Sequence, residues 1–227
     1  MVPATAGAIH AFQQSPLAFS LMSDKNTRES RLEARRNLII ESARICFQHQ
    51  GLRGASIADI ARLSKLGAGQ IYRCFHNKED IVAEIVQRIV FRRVNLMLDI
   101  NHDLERLAQA LSTAGSMFSS PQEDSQLLED DEALLLEISA EAVRNPRIAE
   151  ILLRADERMM QEGRTLMKTH YPWLPDDQIA ARGELMAVLC DGTLLRRRIR
   201  QARGDSGDEL QRLYRQLFTA LFAQPEK

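Results

Sequence analysis

Apolar residues recur at helical spacing along nearly the whole chain. No stretch alternates apolar with polar residues as a half-buried strand does, and no Asn-Gly or Asp-Gly hairpin turn joins two such runs. That pattern restricts the fold to an all-α one. The first helix is expected over 30–50, with Ile39, Ile40, Ala43 and Phe47 as its inward stripe and Gly51 as its C-terminal stop. Ser56 is placed to N-cap a short second helix, IADIARLS. A three-residue connection, Lys65-Leu66-Gly67, leads to a third helix, AGQIYRCF. His76-Asn77-Lys78 breaks the pattern, and a long helix opens at Lys78. Further helices are expected at 103–118, 126–143, 146–169, 176–203 and 207–223, with Asn145-Pro146 ending one and starting the next.

The chain has 227 residues, 44% of them hydrophobic, which is ample for a core. No apolar run approaches the roughly 18 residues of a membrane helix. The first 22 residues carry no charge, so they make a poor secretory signal, and Met22 is an alternative start. Cys46, Cys74 and Cys190 are odd in number and widely spaced, which points to a reducing cytoplasm and no disulfide frame.

The net charge of −1 conceals an asymmetry. Residues 23–93 hold 14 Lys/Arg against 8 Asp/Glu, and the remainder holds 16 against 23. A basic front is a candidate for polyanions. Within it, GAGQIYRCF starts a short helix with two glycines, although glycine costs a helix about 1 kcal/mol relative to alanine. Two short helices joined by a tight turn and packed on a longer one make a helix-turn-helix, whose second helix enters the major groove with its N-terminal residues foremost. Gly67, Ala68 and Gly69 then remove bulk where backbone approaches DNA. Gln70 is the first side chain able to read a base, since glutamine pairs with adenine through two hydrogen bonds. Tyr72 can stack or reach a phosphate, and Arg73 can reach a phosphate or a guanine. Ile71 and Phe75 face inward.

These residues resemble the TetR family of bacterial transcriptional regulators. Ile39, Ala43 and Phe47, Gly51-Leu52, Ser56, Ile60 and Ala61, Gly69, Tyr72, Phe75 and Lys78-Glu79 fall at the family's spacing across about 50 residues. The turn departs from the usual Gly-Val-Ser, and Lys65 stands where a left-handed conformation is required. The resemblance implies phosphate contacts from Lys78, Ser56 and Tyr72. Arg36, with Arg28, Arg31 and Arg35, would add contacts from the arm and first helix, though at least half of these arginines are expected to be solvated. It also implies three parts: a flexible leader or arm over 1–29, a helix-turn-helix DNA-binding domain over 30–78, and a helical ligand-binding and dimerisation domain over 79–227.

For the back part, the family pattern implies pairing through the last two long helices. Leu185, Val188, Leu189, Gly192 and Leu195 line one side of the first, and Leu213, Leu217, Phe218 and Leu221 line the second. Met97, Met117, Phe118, Met160, Met167 and Trp173 fall where the family's ligand pockets form, with Glu137 as a candidate for a cationic ligand. Glu137 and Glu141 read more simply as solvated or paired with Arg144 or Arg147. The RRRIR run at 196–200 reads as surface or rim, and Asp130-Asp131, beside Glu129 and Glu132, as solvated.

The five histidines are scattered, and no HExxH, G-x-S-x-G or P-loop motif occurs, so neither an enzyme nor a cofactor or metal is expected. Cys74 within the reading helix raises redox sensing, against the plainer reading of an inert thiol. The expected partners are an operator in double-stranded DNA, a small and largely apolar effector, and a second copy of the chain. The rival is a helical protein–protein module without operator binding. Gly67-Ala68-Gly69 argues against it, because such a module has no use for a bare helix start.

Overall fold

The computed structural model of the chain describes residues 16–100, 103–112 and 125–224, and the described residues form helices and connections without strands. In chain order the helices are α1 (Pro16–Gly54), α2 (Ile57–Ser64), α3 (Ala68–Tyr72), α4 (Lys78–Ile100), α5 (Leu104–Ser112), α6 (Ser125–Ala142), α7 (Pro146–His170), α8 (Asp176–Arg203) and α9 (Asp208–Leu221).

The boundaries follow local chemistry. α1 runs back to Pro16, further than its apolar stripe alone predicts, and kinks at Gly51, where φ is 75° and ψ is 159°. That region of backbone space is open essentially to glycine alone. Ser56 caps α2: its hydroxyl accepts from the Asp59 N–H, and the Asp59 carboxylate accepts from the Ser56 N–H, closing a capping box. Lys65 ends α2 in the left-handed region at φ 55°, as its place in the turn requires. α3 is shorter than the apolar spacing suggests and gives way at Arg73. The Asn77 side chain then accepts from the Asp80 N–H to open α4. Asn145 caps α7 ahead of Pro146.

α1, α2 and α3 form a head, and α4 runs from that head into the body. The head and the near part of the body share one core. Ile39, Ile40, Ala43 and Phe47 of α1 meet Ile60 of α2, Ile71 of α3, and Ile81, Ile85 and Ile89 of α4. Leu134 and Ile138 of α6 and Ile148 of α7 complete the same cluster. A second cluster joins α5, α8 and α9 through Leu111, Ile179 and Phe218, with Leu174 and Phe222 beside them. α7 packs against α4, α6 and α8, and so lies between the two cores.

Candidate nucleic-acid interface

The α2–turn–α3 unit sets one face of the head free. Ile71 and Phe75 are buried, whereas Tyr72 is 54% exposed and Arg73 projects into solvent. A Cβ built on Gly67 or Gly69 meets no atom within 4 Å, and neither residue has a positive φ. The protein's own packing therefore does not require either glycine. The Gln70 amide oxygen accepts from the Gly67 N–H at 3.2 Å, an exposed local bond that a stronger partner can replace. Ala68 and Gly69 are exposed beside it.

Two residues expected at phosphates are engaged within the head. The Lys78 ammonium donates to the backbone carbonyls of Leu52, at 2.7 Å, and Ala55, at 3.2 Å, tying the end of α1 to the start of α4. Arg36 donates to the Cys74 carbonyl at 3.0 Å and to Glu84 at 2.7 Å, and its guanidinium lies 4.4 Å from the Phe75 ring centroid. Both position α3 and α4. Sequence spacing carries no signal for this, because the partners come from distant segments. The Cys74 side chain packs partly buried against the head core. Ser56 is exposed beside its capping partner, and Arg62, paired with Asp59, adds positive charge to the same helix.

The Glu137 carboxylate accepts the Leu52 N–H and so holds the head–body joint. One turn on, Glu141 pairs with Arg53 at 3.0 Å and Arg144 at 2.9 Å, the hydrogen bond from Arg144 being the main cause of its lowered pKa. Trp173 donates from its indole to the Ala223 carbonyl at 3.3 Å, and Met167 packs on the second core. Met160 lies against Gly183 between α7 and α8. Met97 is half-buried. Met117 and Phe118 lie outside the described residues. Two clefts of about 340 and 310 Å³ open among the described residues. Glu84, Arg88, Phe91 and Arg158 line the first, and His49, Asp130 and Glu137 line the second. Met97, Met160, Met167 and Trp173 line neither cleft.

Of the expected pairing residues, Val188, Leu195, Leu213 and Leu217 are exposed, and Ile199 continues the α8 stripe. A Cβ on Gly192 meets open space. Leu185 is half-buried. Phe218 is fully buried in the chain's own second core, with Leu189 and Leu221 packed against it, so these three serve that core.

The acidic and basic runs of the back part are not simply solvated. Asp131 is buried between Arg44 of α1 and Arg92 of α4. Glu132 is buried against Arg197 of α8. Arg200 is buried too, and donates to the Ser112 carbonyl. Burial pulls down the pKa of the Arg93 guanidinium, against the opposing pull of Glu132, Cys190, Asp191 and Asp131. Burial likewise pushes the Cys190 thiol up to about 11.

A helix-turn-helix head with a free reading face, carried on a larger helical body, is the architecture of a DNA-binding regulator. Residues 39–85 match the model of the bacterial regulatory proteins of the tetR family. Its fold is similar to that of Salmonella enterica GusR, at TM-score 0.66 and 20% identity, over 84% of this chain and 96% of that one. A Rhodococcus sp. regulator assigned to the TetR family aligns at TM-score 0.62 and 16% identity, over 83% and 98%. A Saccharomonospora viridis protein, assigned as a transcriptional regulator and solved in complex with choline, aligns at 0.57 and 23%, over 83% and 96%. No curated protein matches the chain. No helix among the described residues is long and apolar enough to cross a membrane.

Proposed function

We propose that the protein is a cytoplasmic repressor that binds a palindromic operator as a homodimer and leaves it when a small, largely apolar molecule binds the body. The observation that carries the operator reading is the bare start of α3. Gly69, inside the helix, lacks both a packing neighbour and an unusual backbone angle, so its cost in helix propensity has no internal compensation, and Gly67 at the N-cap likewise meets no neighbour. Close approach to DNA supplies one. Gln70 and Arg73 then read base edges, while Tyr72 and Ser56 take phosphates. Arg36 and Lys78 hold the reading unit in place from behind.

The exposed stripe of Val188, Leu195 and Ile199 on α8, with Leu213 and Leu217 on α9, supports pairing of two copies. The two reading helices of such a pair are expected about 34–36 Å apart, one turn of B-DNA. The choline complex of a structural relative supports a body that takes a small molecule. Release requires only that the effector bind one head spacing better than the other.

Fluorescence anisotropy against the DNA upstream of the protein's own gene, with scrambled DNA as control, tests the reading. Sequence-selective binding with a steep salt slope is expected, because phosphate contacts release counterions. Arg73→Ala and Tyr72→Ala should each weaken it about tenfold without altering dimerisation. Equal, weak binding to both DNAs, repeated with fragments selected from the whole genome, would overturn the reading. A strain lacking the gene checks the sign, since target transcription should rise.

A further inference from the structure

We propose that the body takes an oxyanion, the carboxylate or phosphate head of a small effector, on the open edge of the Arg197 guanidinium. This names the chemistry of the effector within the ligand-responsive reading above.

The Arg197 side chain is 5% exposed. Its Nη1 donates to the Glu132 carboxylate. Its other two nitrogens, Nε and Nη2, are buried and have no hydrogen-bond partner. Those two N–H groups point the same way and form one complete edge of the guanidinium. That edge is the fork arginine uses to grip a carboxylate or phosphate through two parallel hydrogen bonds. Buried donors in native proteins are nearly always satisfied, and a vacant fork calls for an acceptor that the fold does not supply.

Arg44, Arg92, Arg93 and Arg197 gather around Asp131 and Glu132. Asp191 lies beside Arg93 with Asp156 near it, and Glu41 pairs with Arg44 at 3.6 Å, so the cluster carries charge of both signs. Cys190, which lies near Arg93, packs with Met186 and Leu189 against the second apolar core, ground for the apolar remainder of such a molecule.

Glu132 holds Nη1 alone, so an oxyanion on the Nε and Nη2 edge sits beside Glu132 and not in its place. Glu132 shares α6 with Glu137, which holds the Leu52 N–H at the base of the head. An anion bound beside Glu132 therefore places negative charge next to the helix that grips the head.

Thermal melts of the full-length protein test this with benzoate, acetate, phosphate and sulfate, each titrated at ionic strength held constant with sodium chloride. A saturable rise in Tm is expected with the carboxylates or with the phosphate and sulfate pair, and the responding pair identifies the head group. Arg197→Met should abolish the rise. Arg197→Lys, which keeps the charge and loses the fork, should weaken binding about tenfold. Glu132→Gln, which removes the negative charge next to the bound oxyanion, should tighten binding several-fold, a direction that a purely structural ion pair does not produce. No saturable response to any of the four anions, an unchanged response in Arg197→Lys, or a weaker one in Glu132→Gln would each overturn the proposal. DNA is absent from these melts, so a failure here leaves operator binding standing, and a failure of operator binding leaves the anion result standing.

Discussion

The Glu137 carboxylate on α6 accepts the backbone N–H of Leu52, the residue that follows the positive-φ Gly51 in α1. A Cβ on Gly51 would lie 3.0 Å from the same carboxylate oxygen, so the glycine serves both the kink and the close approach of Glu137. Removing the acceptor leaves a partly buried N–H unpaired. Glu137→Ala is therefore expected to cost about 1–3 kcal/mol, and Glu137→Gln, which keeps an acceptor oxygen, less. Thermal melts of both variants beside the wild type provide the check. Equal Tm values for all three would mean that the joint is held by the shared core alone.

Lys65 pays a conformational cost that glycine would not. A residue with a Cβ in the left-handed region costs about 1–2 kcal/mol, and the Lys65 N–H serves the α2 carbonyls of Ala61 and Arg62 whatever the side chain. Lys65→Gly is expected to raise stability by about 1 kcal/mol, or Tm by about 2–4 °C for a chain of this size. A fall in Tm would show that the lysine side chain makes a contact worth more than the backbone strain.

The sequence made legible what depends on near neighbours. Ser56, Lys65 and Asn145-Pro146 each act within four residues of their own position, and the structure uses each as its local chemistry dictates. The inward stripe of α1 follows from period alone, and Ile39, Ile40, Ala43 and Phe47 are all fully buried. The fate of long charged side chains was not legible. Arg36 and Lys78 find partners up to 48 residues away, and Arg197 finds Glu132 across 65. A charge run looks the same in sequence whether it ends in water or against a buried carboxylate. Phe218 illustrates the same limit among apolar residues. Helix α9 carries a wide apolar face, and only packing divides it between Phe218, which is buried, and Leu213 and Leu217, which are not.

Glu84 gives the head a pH dependence of definite sign. Desolvation pushes its pKa up, but hydrogen bonds from Arg36 and Arg88 outweigh this and leave it below the ordinary value. A carboxylate whose folded pKa is depressed adds stability above its unfolded pKa, about 4.3 for glutamate. That stability is lost as pH falls through the lower folded value. The Tm difference between wild type and Glu84→Gln should therefore be flat from neutral pH down to about pH 5 and shrink below about 4.3. A difference that persists unchanged to pH 3 would show that the glutamine variant loses packing, with the ion pairs contributing nothing.

Gly69 separates what the fold needs from what the proposed function needs. It lies in the interior of α3, and a Cβ there meets no atom of the protein within 4 Å. For the free protein, alanine at this position is better than glycine, because it restricts the unfolded chain and suits a helix. Gly69→Ala is expected to raise stability by about 0.5–1 kcal/mol. At an operator the same methyl group stands where backbone and DNA must approach, and binding should weaken about tenfold or more, as sub-ångström misfits at desolvated contacts do. Parallel thermal melts and anisotropy titrations read the two effects in one variant. A gain in both stability and DNA affinity would mean that the bare start of α3 does not face the duplex, and the reading surface would then have to be sought around Arg62 and Ser56 on α2.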